Sequence, residues 1–134
     1  MTWAEQVAAP SGVDIRPVPE GRRSMTPGLS MLYPSAGMLN DAIKALPAGE
    51  NITVRELRDR LATQYDTAYT CPVTTTSMLR VVAEAANEAR TSGESLDELT
   101  PVWRTLEKSS SALRNLTFDP EWIMAQRERE RTAS

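Results

Sequence analysis

The sequence contains no histidine. That absence removes Ser-His-Asp and Cys-His catalysis, imidazole acid–base chemistry and every histidine-ligated metal site. Cysteine occurs once, at Cys71, so neither an intrachain disulfide nor a Cys-cluster zinc site can form. One unpaired thiol suits a reducing compartment, and a cytoplasmic protein is expected. Aromatic residues make up only 5% of the chain, so Leu, Val, Ile, Met and Ala must build much of the core. No apolar run approaches the roughly 18–20 residues that span a bilayer, and no membrane association is expected. The N-terminus also lacks the basic-then-apolar order of a secretory signal. An excess of positive charge is missing too, because 15 basic residues face 18 acidic ones for a formal net charge of −3. That balance excludes the strongly basic kind of nucleic-acid binder, so any nucleic-acid face has to be local.

What is present fits a single globular chain of 134 residues, 40% hydrophobic and 25% charged. Residues 1–34 stand apart. They hold Pro10, Pro17, Pro19, Pro27 and Pro34, five of the nine prolines, with Gly12, Gly21 and Gly28 between them. Proline withholds a backbone donor and pushes its predecessor toward extended conformations, so neither helix nor central strand is expected here. The stretch reads as an extended, loosely ordered proline-rich arm. The alternative is an arm whose Trp3, Leu29, Met31, Leu32 and Tyr33 lie against the domain or against a second copy.

Residues 35–134 read as the folded domain. Ser35 is a helix cap, and Leu39, Ile43 and Leu46 form one apolar stripe that Pro47-Ala48-Gly49 ends. Thr53 and Glu56 make a capping box for a short helix running to about Gln64. Val54, Leu57 and Leu61 share one of its faces, and Arg55, Arg58 and Arg60 point elsewhere. A connector spans Tyr65 to Val73. Thr74, Thr75 and Thr76 offer hydroxyl caps to an alanine-rich helix that carries Leu79, Val82, Ala86 and Ala89 on one face and ends near Gly93. Arg80, Glu84, Asn87 and Glu88 fall on its other faces.

Thr100 to Leu106 has the β-branched and aromatic content of a short strand, and a return strand is expected around Leu113–Leu116. Asp119-Pro120-Glu121 starts a last helix. It turns Trp122, Ile123 and Met124 inward, and a frayed, solvated end is expected from Arg127 to Arg131. The fold class is mainly α with a short β element (α+β), and the element order outlines a winged helix-turn-helix-like domain.

Little in this pattern asks for catalysis. Cys71 precedes a helix start, where a dipole can lower a thiol pKa, but no histidine can serve as its base. A small buried thiol is the simpler reading. The acids form no paired acid and base; Glu84 and Glu88 read as a solvated face. No P-loop, GxGxxG or acidic calcium loop occurs, so no metal or cofactor is expected. The informative group is Arg80 with Thr75, Thr76 and Ser77. In a helix-turn-helix the second helix presents its N-terminal residues to a DNA groove, where hydroxyls and free N–H groups meet phosphate. An early arginine there can enter a groove or replace a displaced base. Ordinary capping beside a surface arginine is the plain alternative.

Four segments carry a resemblance: Ile52-Thr53-Val54-Arg55-Glu56-Leu57, Thr70-Cys71-Pro72-Val73-Thr74-Thr75, Arg80-Val81-Val82-Ala83-Glu84-Ala85-Ala86 and Thr100-Pro101-Val102-Trp103-Arg104-Thr105-Leu106. In this order they resemble the small bacterial branch of the O6-alkylguanine-DNA alkyltransferase-like proteins, over roughly residues 38–127. In the true alkyltransferases a Pro-Cys-His-Arg motif supplies the alkyl acceptor. Here Val102 stands at the cysteine position and Trp103 at the histidine position, and valine has no nucleophilic atom. The resemblance therefore implies a non-enzymatic member that binds duplex DNA, recognises alkylated or flipped guanine or acts as a regulator, and needs no cofactor. It implies that Arg80 fills the gap left by a flipped nucleotide. Thr75, Thr76 and Ser77 would then lie near phosphates, and Val102, Trp103 and Arg104 would wall the base pocket. The alternative is a protein-interaction module on the same fold, with DNA binding lost and a protein partner held through the N-terminal arm. The net charge of −3 favours that alternative.

Overall fold

The computed structural model describes residues 1–133. Ser134, the last residue of the domain expected over 35–134, lies outside the described residues. The chain is mainly helical with one small sheet. Its elements are α1 (Trp3–Ala8), β1 (Ile15–Pro17), β2 (Ser30–Leu32), α2 (Ala36–Lys44), α3 (Val54–Gln64), β3 (Tyr69–Thr70), α4 (Pro72–Thr91) and α5 (Glu121–Ala133). Among the described residues no helix is long and apolar enough to cross a membrane.

The helices start where side chains can satisfy their free N–H groups. Ser35 Oγ accepts from the Met38 N–H at 3.2 Å and starts α2. Thr53 Oγ1 accepts from the Glu56 N–H at 3.0 Å, while Glu56 Oε1 accepts from the Thr53 N–H at 3.3 Å. This reciprocal box fixes the entry to α3. Asp119 Oδ1 accepts from the Glu121 N–H at 3.0 Å ahead of α5. The start of α4 differs from the sequence expectation: the helix begins at Pro72 with Cys71 as its cap, not at the threonines. Proline lacks the N–H that a first helical residue would leave unused, and its fixed φ suits that position. Thr74, Thr75 and Thr76 therefore lie inside the helix.

The main core gathers Leu39 and Ile43 of α2, Leu57 and Leu61 of α3, Leu79 and Val82 of α4, and Ile123 of α5. Each is at most 1% exposed, and burying a side chain of this size contributes about 1.5–3 kcal/mol. The 20-residue α4 is the central element. It buries Val81, Ala83 and Glu84 as well as the expected Leu79, Val82 and Ala86, so a single stripe understates its contact arc. Glu84 is not on a solvated face. Its carboxylate takes the Thr117 N–H at 2.7 Å and the Thr117 hydroxyl at 2.6 Å, which fastens the segment before α5 to α4.

Three further sequence expectations are corrected by the structure. The first concerns the arm. It contains α1 and supplies β2, the central strand of the sheet order β1-β2-β3. β1 and β2 pair antiparallel with Arg16 opposite Met31, and β2 and β3 pair parallel with Leu32 opposite Thr70. The prolines stay outside the ladder's needs, because Pro17 sits on the edge strand and the others lie in connections. Gly28 adopts φ +88°, which returns the chain so that its N–H reaches the Val18 carbonyl at 3.0 Å. Val18, Met31 and Cys71 then close a second small core beneath the sheet. α1 packs on α4: its Ala4 N–H donates to Glu88 Oε1 at 3.1 Å, and Trp3 and Val7 lie against the main core. Gly37 of α2 permits α1 to come close on that side as well, since a Cβ there would stand 3.2 Å from the Val7 carbonyl oxygen.

The second correction concerns the expected strands at 100–106 and 113–116. Val102–Arg104 and Ser111–Leu113 are single 3-10 turns. Pro101, Val102 and Trp103 are buried in succession, and so are Thr105 and Leu106. A strand buries alternate positions, whereas a tight turn wrapped in the core can bury consecutive ones. The third correction is at the C-terminus, where Arg127 to Arg131 stay helical and two of these side chains are anchored. Arg127 donates to the Trp103 carbonyl at 2.9 Å, and Glu130 pairs with Arg104.

Candidate nucleic-acid interface

The N-terminal half of α3, the first turns of α4 and the 107–112 loop enclose a cleft of about 380 Å³. Val54, Pro72, Leu79 and Ala112 contribute its apolar surface. Arg55 and Arg58 line it from α3, Thr76 from α4, and Ser109, Ser110 and Ser111 from the loop, with the acidic Glu107 also on its wall. The spacing of Arg55 and Arg58 is i,i+3, which puts both guanidinium stems on one side of the helix. Among the described residues neither has a carboxylate within ion-pair distance, whereas Arg60 on the same helix meets Glu50 at 2.6 Å. Ser110 is occupied as an acceptor, taking the Glu107 N–H at 2.8 Å. Ser109 and Ser111 are exposed. Two arginine forks and several hydroxyls facing one groove form a surface that can hold the oxygens of a phosphate group.

The residues singled out from the sequence fall in several places. Thr76 lines this cleft, and Ser77 is exposed beside it. Thr75 is fully buried, and its hydroxyl donates to the Cys71 carbonyl at 2.7 Å, so it faces the core and no ligand. Arg80 is half-buried and already engaged. Its Nε donates to the Asn115 carbonyl at 2.9 Å, and its guanidinium carbon lies 5.6 Å from the centre of the Trp3 ring.

Val102, Trp103 and Arg104 lie on the turn before the 107–112 loop, and Val102 is wholly buried. Trp103 Nε1 donates to Glu130 Oε2 at 2.7 Å. Arg104 spends its donors on Glu130 and on the Leu46 carbonyl, the latter at 2.7 Å. Trp103 and Arg104 border a different cleft of about 460 Å³, with Lys44, Pro101, Gln126 and Glu130 among its walls. Thr76 of the one set, and Trp103 with Arg104 of the other, thus border separate clefts.

Cys71 is 1% exposed at the start of α4. Burial opposes its ionisation, but hydrogen bonds from Thr74, Arg22 and the Val73 N–H hold the thiol pKa below its usual value. The Thr74 hydroxyl lies 3.4 Å from the sulfur.

Sequence reasoning pointed Arg55 and Arg58 away from the apolar face of α3 and gave Ser109–Ser111 no part in a site. The signal that could have joined them was weak: an i,i+3 arginine pair and a serine run separated by about half the chain. Comparison of the chain with family models, with curated proteins and with solved structures finds no match.

Proposed function

We propose that the protein is a non-catalytic DNA-binding domain, alkyltransferase-like in its motifs, that holds duplex backbone phosphates in the cleft between α3, α4 and the 107–112 loop. The observation that carries this reading is the presence, in one groove, of Arg55 and Arg58, which among the described residues have no carboxylate within ion-pair distance, opposite the hydroxyls of Thr76, Ser109 and Ser111. Within it, α3 and α4 act as the two helices of a helix-turn-helix, with the turns at 102–104 and 111–113 where a wing would stand. No chemical step is assigned, because Val102 offers no nucleophile and Cys71 is enclosed. A net charge of −3 makes the grip weak, and its salt dependence is set by the few phosphate contacts that Arg55 and Arg58 make. Insertion of Arg80 at an extruded base requires it to leave Asn115 and Trp3, so lesion recognition carries an added conformational cost.

The test is fluorescence anisotropy with a short duplex, with and without one O6-methylguanine, at two salt concentrations. Wild type, the Arg55→Ala/Arg58→Ala double variant and Arg80→Ala are compared. Binding is expected to weaken with salt, and the double variant should lower the slope of log affinity against log salt by about 2. Lesion preference lost with Arg80→Ala makes the protein a damage sensor, and equal binding to both duplexes makes it a DNA binder of another kind. An absence of binding at low salt overturns the proposal and leaves the protein-interaction reading.

A further inference from the structure

The outer edge of β1 carries unpaired backbone groups. In the β1–β2 ladder the Tyr33 N–H donates to the Asp14 carbonyl at 2.8 Å and the Val18 N–H to the Leu29 carbonyl at 2.8 Å, with Arg16 opposite Met31 between them. Backbone groups alternate in direction along a strand, so Asp14, Arg16 and Val18 face β2 while Val13, Ile15 and Pro17 face away. Among the described residues nothing bonds the Ile15 N–H or carbonyl, the Val13 N–H or the Pro17 carbonyl. All of β1 is exposed, and Val13 and Ile15 are 55% and 43% exposed despite being apolar. An edge of this kind is a template for another strand.

The residues on this edge are self-complementary. Val13-Asp14-Ile15-Arg16-Pro17 has Ile15 at its centre, opposite charges on either side and apolar residues beyond them. We propose that two copies of the chain pair antiparallel along this edge, about a two-fold axis through Ile15. Each Ile15 then exchanges both backbone bonds with Ile15 of the second copy. Each Val13 N–H donates to the Pro17 carbonyl opposite, and the Val13 carbonyl, which meets proline, stays with solvent. The same register sets Asp14 directly across from Arg16 of the second copy, and Arg16 across from its Asp14. Opposite charges at facing positions stabilise a strand pair, and like charges there repel.

The two side chains already share one face within the monomer. Arg16 Nε and one terminal nitrogen reach the two Asp14 oxygens at 3.0 Å each, and the guanidinium lies 4.0 Å from the Tyr33 ring centre. Charge complementarity selects the second copy over a strand of unrelated sequence, which would need an acid and, two residues later, a base at the facing positions. A contact confined to a three-residue strand and its neighbours falls below the area of a stable interface, so the dimer is weak and depends on concentration. The pairing does not rest on the DNA-binding reading.

Sedimentation equilibrium of the full chain at near-physiological salt tests it. Wild type is expected to dimerise with concentration, and Asp14→Arg and Arg16→Asp are each expected to remain monomeric. An equimolar mixture of the two variants should dimerise again, because each introduced charge then faces its opposite. Ile15→Pro removes the central donor on an edge that tolerates proline, and in either member it should weaken the mixed dimer about tenfold or more. Circular dichroism establishes that each variant is folded. Wild type that stays monomeric overturns the pairing, as do single variants that dimerise as well as wild type. So does a mixture that fails to associate, or an Ile15→Pro chain that associates unchanged.

Discussion

Glu130 and Arg104 meet across 26 positions of sequence, with Arg104 Nε donating to both carboxylate oxygens at 3.0 and 3.2 Å and a terminal nitrogen donating to one of them at 2.9 Å. The same carboxylate accepts from Trp103 Nε1 at 2.7 Å and from the Gly49 N–H at 3.0 Å. One side chain therefore joins the end of α5 to the 102–104 turn and to the α2–α3 connection. The pair is only 15% and 14% exposed, so solvent screens it much less than an ordinary surface ion pair.

Replacing Glu130 with Gln should lower stability by about 1–3 kcal/mol, since several donors lose a charged acceptor. The pH dependence follows from the same contacts. Burial works against the charged form, but hydrogen bonds from Arg104, Trp103 and Gly49 outweigh it and hold the carboxyl at about 2, against an ordinary 4.5. The folded chain thus takes up this proton less readily than the unfolded chain. The stability lent by Glu130 is complete above the ordinary carboxylate range and is lost as pH falls from about 4.5 toward 2. Thermal melts across that window should fall more steeply for wild type than for Glu130→Gln.

Thr117→Val should cost about 1–3 kcal/mol although Thr117 is itself exposed. The change strips a 2.6 Å hydroxyl donor from the buried Glu84 carboxylate and leaves the backbone bond alone. Urea denaturation should give a lower midpoint with an unchanged slope.

Cys71 should react with an aromatic disulfide reagent at least about a hundredfold more slowly in the native protein than in denaturant, because access and not thiolate chemistry is limiting. A fast native reaction would reveal that the loop over residues 19–28 opens readily.

Trp3→Ala should cost about 1–2 kcal/mol and act locally. No residue of α1 is fully buried, so the helix depends on Trp3, on Val7 and on the Ala4–Glu88 bond. Amide exchange should quicken at residues 4–8 first and leave the α4 core protected.

The helices after residue 34 were the legible part of the fold, whereas α1 was not expected at all. Ser35, Thr53 with Glu56, and Asp119 announce their caps locally, and the stripe of Leu39, Ile43 and Leu46 is a property of consecutive residues. The sheet was not legible, because a three-residue strand carries almost no periodic signal and β2 depends on β3, far along the chain. Glu130 was hidden among alternating charges that look solvated; only the position of Arg104 in space separates it from Glu128. At the candidate cleft, Thr76 was read from its place near a helix start. Thr75 shares that place but turns inward, which no local rule distinguishes. Arg55 and Arg58 gain meaning only once the 107–112 loop is brought opposite them.

The sheet order has a consequence for assembly during synthesis. β2 is held between β1, its near neighbour in sequence, and β3, which is made only after α2 and α3. α1 finds its seat on α4, later still. The β1–β2 pair and α1 thus emerge before β3 and α4 exist. Their bonds to those later elements close long loops and are secured late.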